Sequence, residues 1–67
     1  MDICIRTGRR IRLLRDAQKM TQETLAEYAG ISREHLCELE NGRKEAGIRM
    51  IEKIALGLEV RPNELLD

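Results

Sequence analysis

The chain has 67 residues, a formal net charge of zero from 12 basic and 12 acidic side chains, and a single aromatic residue, Tyr28. A chain this short buries only about 60% of the surface it exposes when unfolded, so its core is thin and stability shared with a second copy is expected. One tyrosine argues against recognition of single strands by base stacking, and no apolar run approaches the ~20 residues that a membrane span needs.

Charge is distributed unevenly. Residues 1–20 carry Arg6, Arg9, Arg10, Arg12, Arg15 and Lys19 against Asp2 and Asp16, while the remainder is acid-rich, so a folded chain can present one basic face in spite of its neutral sum. Arginines interrupt Ile3, Cys4 and Ile5 before a signal-peptide apolar region can form. Cys4 and Cys37 are too few for a secreted disulfide framework. A single domain over residues 1–67, in the reducing cytoplasm and without a membrane partner, is the expectation, and Met1 fits an entire small chain.

Cys4, Gly8, Ile11, Leu14 and Arg15 recur at helical spacing with charged residues opposite, which predicts an amphipathic helix over about residues 4–18. Gly8 inside it is less favourable than Ala by about 1 kcal/mol, so it either delays the helix start or admits a closely packed neighbour. The Thr21 hydroxyl can cap a second helix that begins at Gln22, with Glu23 in its positive first turn and Gly30 ending it in the left-handed conformation. Ser32 caps a third helix, from about Arg33 to Glu40, which Asn41-Gly42 stops. Two short helices separated by a three-residue turn outline a helix-turn-helix. After the polar loop Arg43-Lys44-Glu45-Ala46-Gly47, the spacing of Ile48, Ile51, Ile54, Ala55 and Leu58 predicts a fourth helix. Val60 packs at its exit, and Pro62 opens a last short helix containing Leu65 and Leu66. The fold class read from this pattern is all-α, a compact bundle of five short helices.

Residues 22–41 resemble the helix-turn-helix of the Xre family of lambda-repressor-like and Cro-like proteins. Ala26 is the small residue where the two motif helices cross, Gly30 is the turn glycine, and Leu25, Ala29, Ile31, Leu36 and Leu39 fill the five apolar positions. Gly8-Arg9-Arg10-Ile11-Arg12, Thr21-Gln22, Glu40-Asn41-Gly42, Ile54-Ala55 and Leu58 extend the resemblance over nearly the whole chain.

The resemblance implies a sequence-specific regulator of transcription that binds a palindromic operator in double-stranded DNA as a homodimer. The second motif helix would lie in the major groove, about 12 Å wide. Positions matching Arg33, Glu34 and Glu38 read bases in such repressors: Arg33 suits O6 and N7 of guanine, and Glu38 or Glu34 can accept from cytosine N4. Acids there would reject sites that lack the right donors. Positions matching Gln22 and Asn41 hold phosphate, and location and charge add His35, Arg43 and Lys44. Arg15 and Glu40 match a pair that forms an internal salt bridge in some relatives and would fix the first helix against the third. Ala46 and Gly47 stand where the family has proline and a Ser/Thr cap, Glu59 replaces a usual glycine, and Thr7 replaces a usual apolar residue.

Other chemistry has little support. His35 and Cys37 are two apart on one helix and project from different faces, so no metal site is expected with Cys4 or without it. Cys4 reads as a small core residue and Cys37 as half-exposed. No nucleophile–base grouping or glycine-rich phosphate loop is present, so neither enzymatic activity nor a cofactor is expected. Glu23, Glu27, Glu52 and Lys53 read as solvent-facing, and Met20, Ile51 and Ile54 as core. Val60, Leu65 and Leu66 are the candidate dimer surface, and no small-molecule effector is expected. The alternative is an antitoxin-like or other protein-interaction module built on the same fold.

Overall fold

An Asp2 carboxylate accepting the Cys4 amide at 2.7 Å begins the first helix, and apolar periodicity carries it on. In the computed structural model, which describes residues 2–66, the order is α1 (Ile3–Ala17), α2 (Gln22–Ala29), α3 (Arg33–Glu40), α4 (Ile48–Leu58) and a turn of 3-10 helix, Pro62–Leu65. No strand occurs among the described residues.

One apolar cluster holds the elements together. Ile11 of α1, Leu25 of α2, Leu36 of α3, Ile54 and Leu58 of α4, and Leu65 of the terminal turn are fully buried, with Ala26, Ala29, Leu39, Ile51 and Ala55 around them. Each fully buried aliphatic side chain contributes about 1.5–3 kcal/mol relative to exposure. Met20, Ile31, Ala46, Met50 and Val60 cover the rim of the cluster.

The function of Gly8 is close packing. A Cβ there would fall on the carbonyl oxygens of Leu39 and Glu40, the latter at 2.7 Å, so the α1 backbone lies directly against the end of α3. Thr7 beside it is also buried, a small polar residue at this crossing. The second helix ends at Gly30 with φ 71°, in the left-handed region that glycine enters without steric cost. At the equivalent point of α4, Glu59 takes φ 57° instead, and no side chain caps the start of that helix at Gly47.

Two expectations need correction. Leu65 has no exposed surface and belongs to the core, because the 3-10 turn folds it back toward α4; it cannot serve as a dimer contact. Val60 is half-buried against the core, and only Leu66 of the three remains exposed. Cys4 is half-buried and lines an apolar groove of about 290 Å³ with Ile3, Thr7 and Leu66, because the first turn of α1 lies at the edge of the bundle and outside its core. The terminal turn is held by α1: Arg10 Nε donates to the Glu64 carbonyl at 2.8 Å and Arg6 Nη2 to the Leu66 carbonyl at 3.2 Å.

Gly8→Ala is expected to lower the unfolding free energy by about 1–3 kcal/mol, since the α1–α3 crossing must open. Glu59→Gly is expected to raise it by up to about 1 kcal/mol, because a left-handed non-glycine residue is strained by that order. Urea midpoints of the two variants check both signs.

Candidate nucleic-acid interface

The α2–turn–α3 unit is defined by its caps. Thr21 Oγ1 accepts the Thr24 amide at 3.1 Å, the Ile31 amide returns to the Ala26 carbonyl at 2.9 Å, and Ser32 Oγ accepts the His35 amide at 3.0 Å. These bonds satisfy amides left free at the helix starts and fix the angle at which α3 leaves the turn. Leu36 and Leu39 then pin α3 to the core.

Glu40 is buried with Leu36 and Leu39, and the charged residues before it face outward. Arg33 and Glu34 in its first turn are exposed, Glu38 is half-exposed in its last turn, and Asn41 is exposed at its end. His35 and Cys37 are half-buried, and Asn41 Nδ2 donates to Cys37 Sγ at 3.4 Å. The Arg43 amide returns to the Glu38 carbonyl at 2.9 Å, which folds the following loop back over α3. Lys44 Nζ thereby reaches 3.5 Å from Glu38 Oε1, while Arg43 stays exposed. The Lys44–Glu38 pair is roughly half-exposed on both sides, and such surface pairs contribute about 0–1 kcal/mol.

At the start of α2, Thr21, Gln22 and Glu23 line an open cleft of about 440 Å³ together with Arg15 and Arg33. Gln22, expected at phosphate, and Arg33, expected at bases, thus share one recess. Below it lies a buried network. Arg15 Nε donates to Glu40 Oε2 at 2.7 Å and Nη2 to Oε1 at 3.1 Å, while Nη1 donates to the Met20 carbonyl at 2.7 Å. Gln22 Nε2 donates to the same Glu40 Oε1 at 2.9 Å. The hydrogen bond to Glu40 pushes the Arg15 pKa further up against the opposing effect of burial, so the guanidinium stays charged.

The family resemblance implies the pairing of Arg15 with Glu40 but not that Glu40 also holds Gln22 or that Arg15 lines the cleft. No spacing rule connects positions 15, 22 and 40; the connection exists only once three helices have packed. The basic excess of residues 1–20 is also partly used inside the fold. Arg6, Arg10 and Arg15 bind carbonyls and a carboxylate, and Arg6 stays exposed along with Arg9, Arg12 and Lys19.

Neither cysteine is paired in a disulfide. Partial desolvation and the neighbouring Asp2 carboxylate push the Cys4 thiol above its ordinary value, keeping it protonated. Among the described residues, no cluster of three His, Cys, Asp or Glu side chains has metal-binding geometry, and no helix is long and apolar enough to cross a membrane.

A short capped helix, pinned by two leucines behind a second short helix and carrying charged side chains outward beside a donor-lined cleft, defines a helix-turn-helix DNA-binding domain. A family model described as helix-turn-helix, HTH_3, matches residues 11–65. The immunity repressor protein of Bacillus phage phi105 is 38% identical over 55 residues, an alignment covering 79% of this chain and 38% of the repressor. The control protein C.BamHI of Bacillus amyloliquefaciens is 34% identical over 61 residues, covering 90% of this chain and 75% of that protein. The crystal structure of the restriction-modification controller protein C.AhdI from Aeromonas hydrophila superposes with a TM-score of 0.90 at 35% identity, covering 92% of this chain and 94% of that one. The chain belongs to this helix-turn-helix family of DNA-binding transcriptional regulators, a class that acts by binding and not by catalysis.

Removing one member of a buried ion pair strands the other charge. Glu40→Ala is therefore expected to destabilise the fold by about 3–5 kcal/mol, whereas the paired apolar replacement Arg15→Met with Glu40→Leu is expected to be neutral or stabilising. Thermal unfolding of the two proteins checks this; equal destabilisation would show that the pair's geometry, and not its charge balance, holds the helices.

Proposed function

We propose that the chain reads a two-fold-symmetric operator in double-stranded DNA as a homodimer, with α3 in the major groove. The observation that carries this reading is the outward face of α3, where Arg33, Glu34 and Glu38 project while Leu36 and Leu39 are buried behind them. Arg33 pairs with guanine O6 and N7, and Glu34 or Glu38 accepts from cytosine N4. Gln22, Asn41 and Arg43 are assigned to phosphates on either side of the groove, with His35 and Lys44 as further phosphate partners. Anion attraction to the amino terminus of α2 adds to the Gln22 contact.

The dimer surface draws on the apolar side chains left outside the core. Leu66 is 44% exposed, and Val60 is half-exposed at the exit of α4. Ile48 and Leu56, at 84% and 77% exposure, lie two turns apart on one outward stripe of α4. Operator half-sites would stand about one helical turn, roughly 34 Å, apart. The phage relative is named a repressor and the C.BamHI relative a control protein; by that likeness this chain regulates transcription, its occupancy following its own concentration and dimer affinity.

Selection from a random duplex library at near-physiological salt, followed by anisotropy titration of the enriched sequence against a scrambled one, tests the reading. A palindromic motif whose binding weakens steeply as salt rises is the expected result. A folded protein that enriches no motif would instead point to the protein-interaction module.

Arg33→Ala is expected to relax preference at one base pair and cost about 1–3 kcal/mol, whereas Asn41→Ala weakens all sequences alike. The opposite pattern in competition titrations would reverse the two assignments. Leu66→Asp and Leu56→Asp are expected to shift sedimentation toward the monomer and to lower operator affinity in parallel. Unchanged sedimentation would remove this surface from the dimer.

A further inference from the structure

The cleft at the start of α2 and the buried network beneath it share one side chain, Gln22, and its orientation is chemically determined. A carboxylate only accepts hydrogen bonds, so Gln22 must turn its amine, not its carbonyl, toward Glu40 Oε1 at 2.9 Å. The Glu40 carboxylate cannot turn away in response, because Arg15 Nε and Nη2 grip both of its oxygens. The side chain of Glu40 is 1% exposed. One N–H of the Gln22 amide is committed to Glu40, the second N–H of the same nitrogen has no protein partner among the described residues, and Gln22 is one of the residues that line the cleft. A freely turning glutamine would present its carbonyl to a phosphate as readily as its amine, and a carbonyl facing an anionic oxygen is repelled.

We propose that Glu40 is a positioning residue for the phosphate contact of Gln22: its arginine-clamped carboxylate locks the Gln22 amide with the donor nitrogen at the cleft. Glu40 itself touches no DNA. Its negative charge near the phosphates is offset by the Arg15 guanidinium, which lies beside it and lines the same cleft. The Arg15–Glu40 pair therefore has a binding role in addition to its structural one. The inference rests on the DNA-binding reading above and adds the statement that Gln22 works only while Glu40 holds it.

The test is a coupling measurement on operator DNA. Gln22→Ala is introduced into the wild-type protein and into the Arg15→Met, Glu40→Leu background, in which the buried pair is replaced by apolar side chains and the fold is expected to persist. A net hydrogen bond corresponds to about a 3- to 10-fold change in affinity. Gln22→Ala is expected to weaken operator and scrambled duplex by that factor in the wild-type protein, and by less than about 2-fold in the apolar background. Equal losses in both backgrounds, or no loss in either, would overturn the proposal. The expected coupling is not produced by a purely structural pair, whose removal leaves the cost of Gln22→Ala unchanged.

A second measurement needs no variant. In a nitrogen–proton spectrum of the wild-type protein, one of the two Gln22 side-chain amide protons should exchange slowly with water, both free and bound to the operator. Two rapidly exchanging protons in the free protein would equally overturn the assignment. If the wild-type protein binds no duplex, the DNA-binding reading fails and the positioning role fails with it; operator binding with additive substitutions sinks the positioning role alone.

Discussion

The buried ion pair between Arg15 and Glu40 is the constraint on which the rest of the arrangement turns. Arg15 comes from α1 and Glu40 from the last residue of α3, and the guanidinium also donates to the Met20 carbonyl in the turn that leads into α2. One side chain therefore fixes three parts of the chain relative to one another. Ions removed from water are tolerated only when their hydrogen-bonding capacity is filled, and here the carboxylate accepts three donors and no buried side-chain polar atom among the described residues lacks a partner. Apolar contacts alone allow α3 to slide or rotate by a fraction of a turn with little loss. A forked arginine on a carboxylate is far less forgiving, and this is what a helix that must present particular side chains to a groove requires.

The same pair reconciles a neutral chain with a polyanionic ligand. With zero net charge there is no long-range attraction to rely on, so the placement of individual donors has to supply what bulk charge does not. Half of the basic residues in the first 20 positions are engaged in structural hydrogen bonds, and Glu34 and Glu38 sit on the outward face of α3. Lys44 partly screens Glu38 at 3.5 Å. On the proposed reading, a surface organised in this way discriminates among duplexes more than it attracts them.

Much of the architecture was legible in the residues because it depends on local rules. The helix starts at Thr21 and Ser32, the glycine stop at residue 30, and the span of α3 follow from capping chemistry and a hydrophobic period that a short window contains. The spans of α1 and α4 were similarly legible, α1 differing by one residue at each end. Burial of Leu65 was not, because an apolar residue near the end of a chain looks the same whether it packs inward or waits for a partner. Gly8 admits two readings in the sequence, and only the α3 carbonyls packed against it select close packing. The bond from Gln22 to Glu40 was invisible for the same reason: it joins residues 18 positions apart through a third helix, and no periodicity encodes such a meeting.

The way the tail is held has a consequence for how this protein can change over time. Arg6 and Arg10 grip residues 64 and 66 by their main-chain carbonyls, and the side chains there take no part in the grip. Every amino acid carries that carbonyl, so a substitution at either position leaves the anchoring arginines satisfied. Position 66 can thus exchange its outward side chain while the path of the turn over α1 is preserved, whereas Glu64 also caps the turn by accepting the Arg61 amide at 2.8 Å. The two arginines, far away along the chain, thus hold the turn without constraining the side chain at position 66.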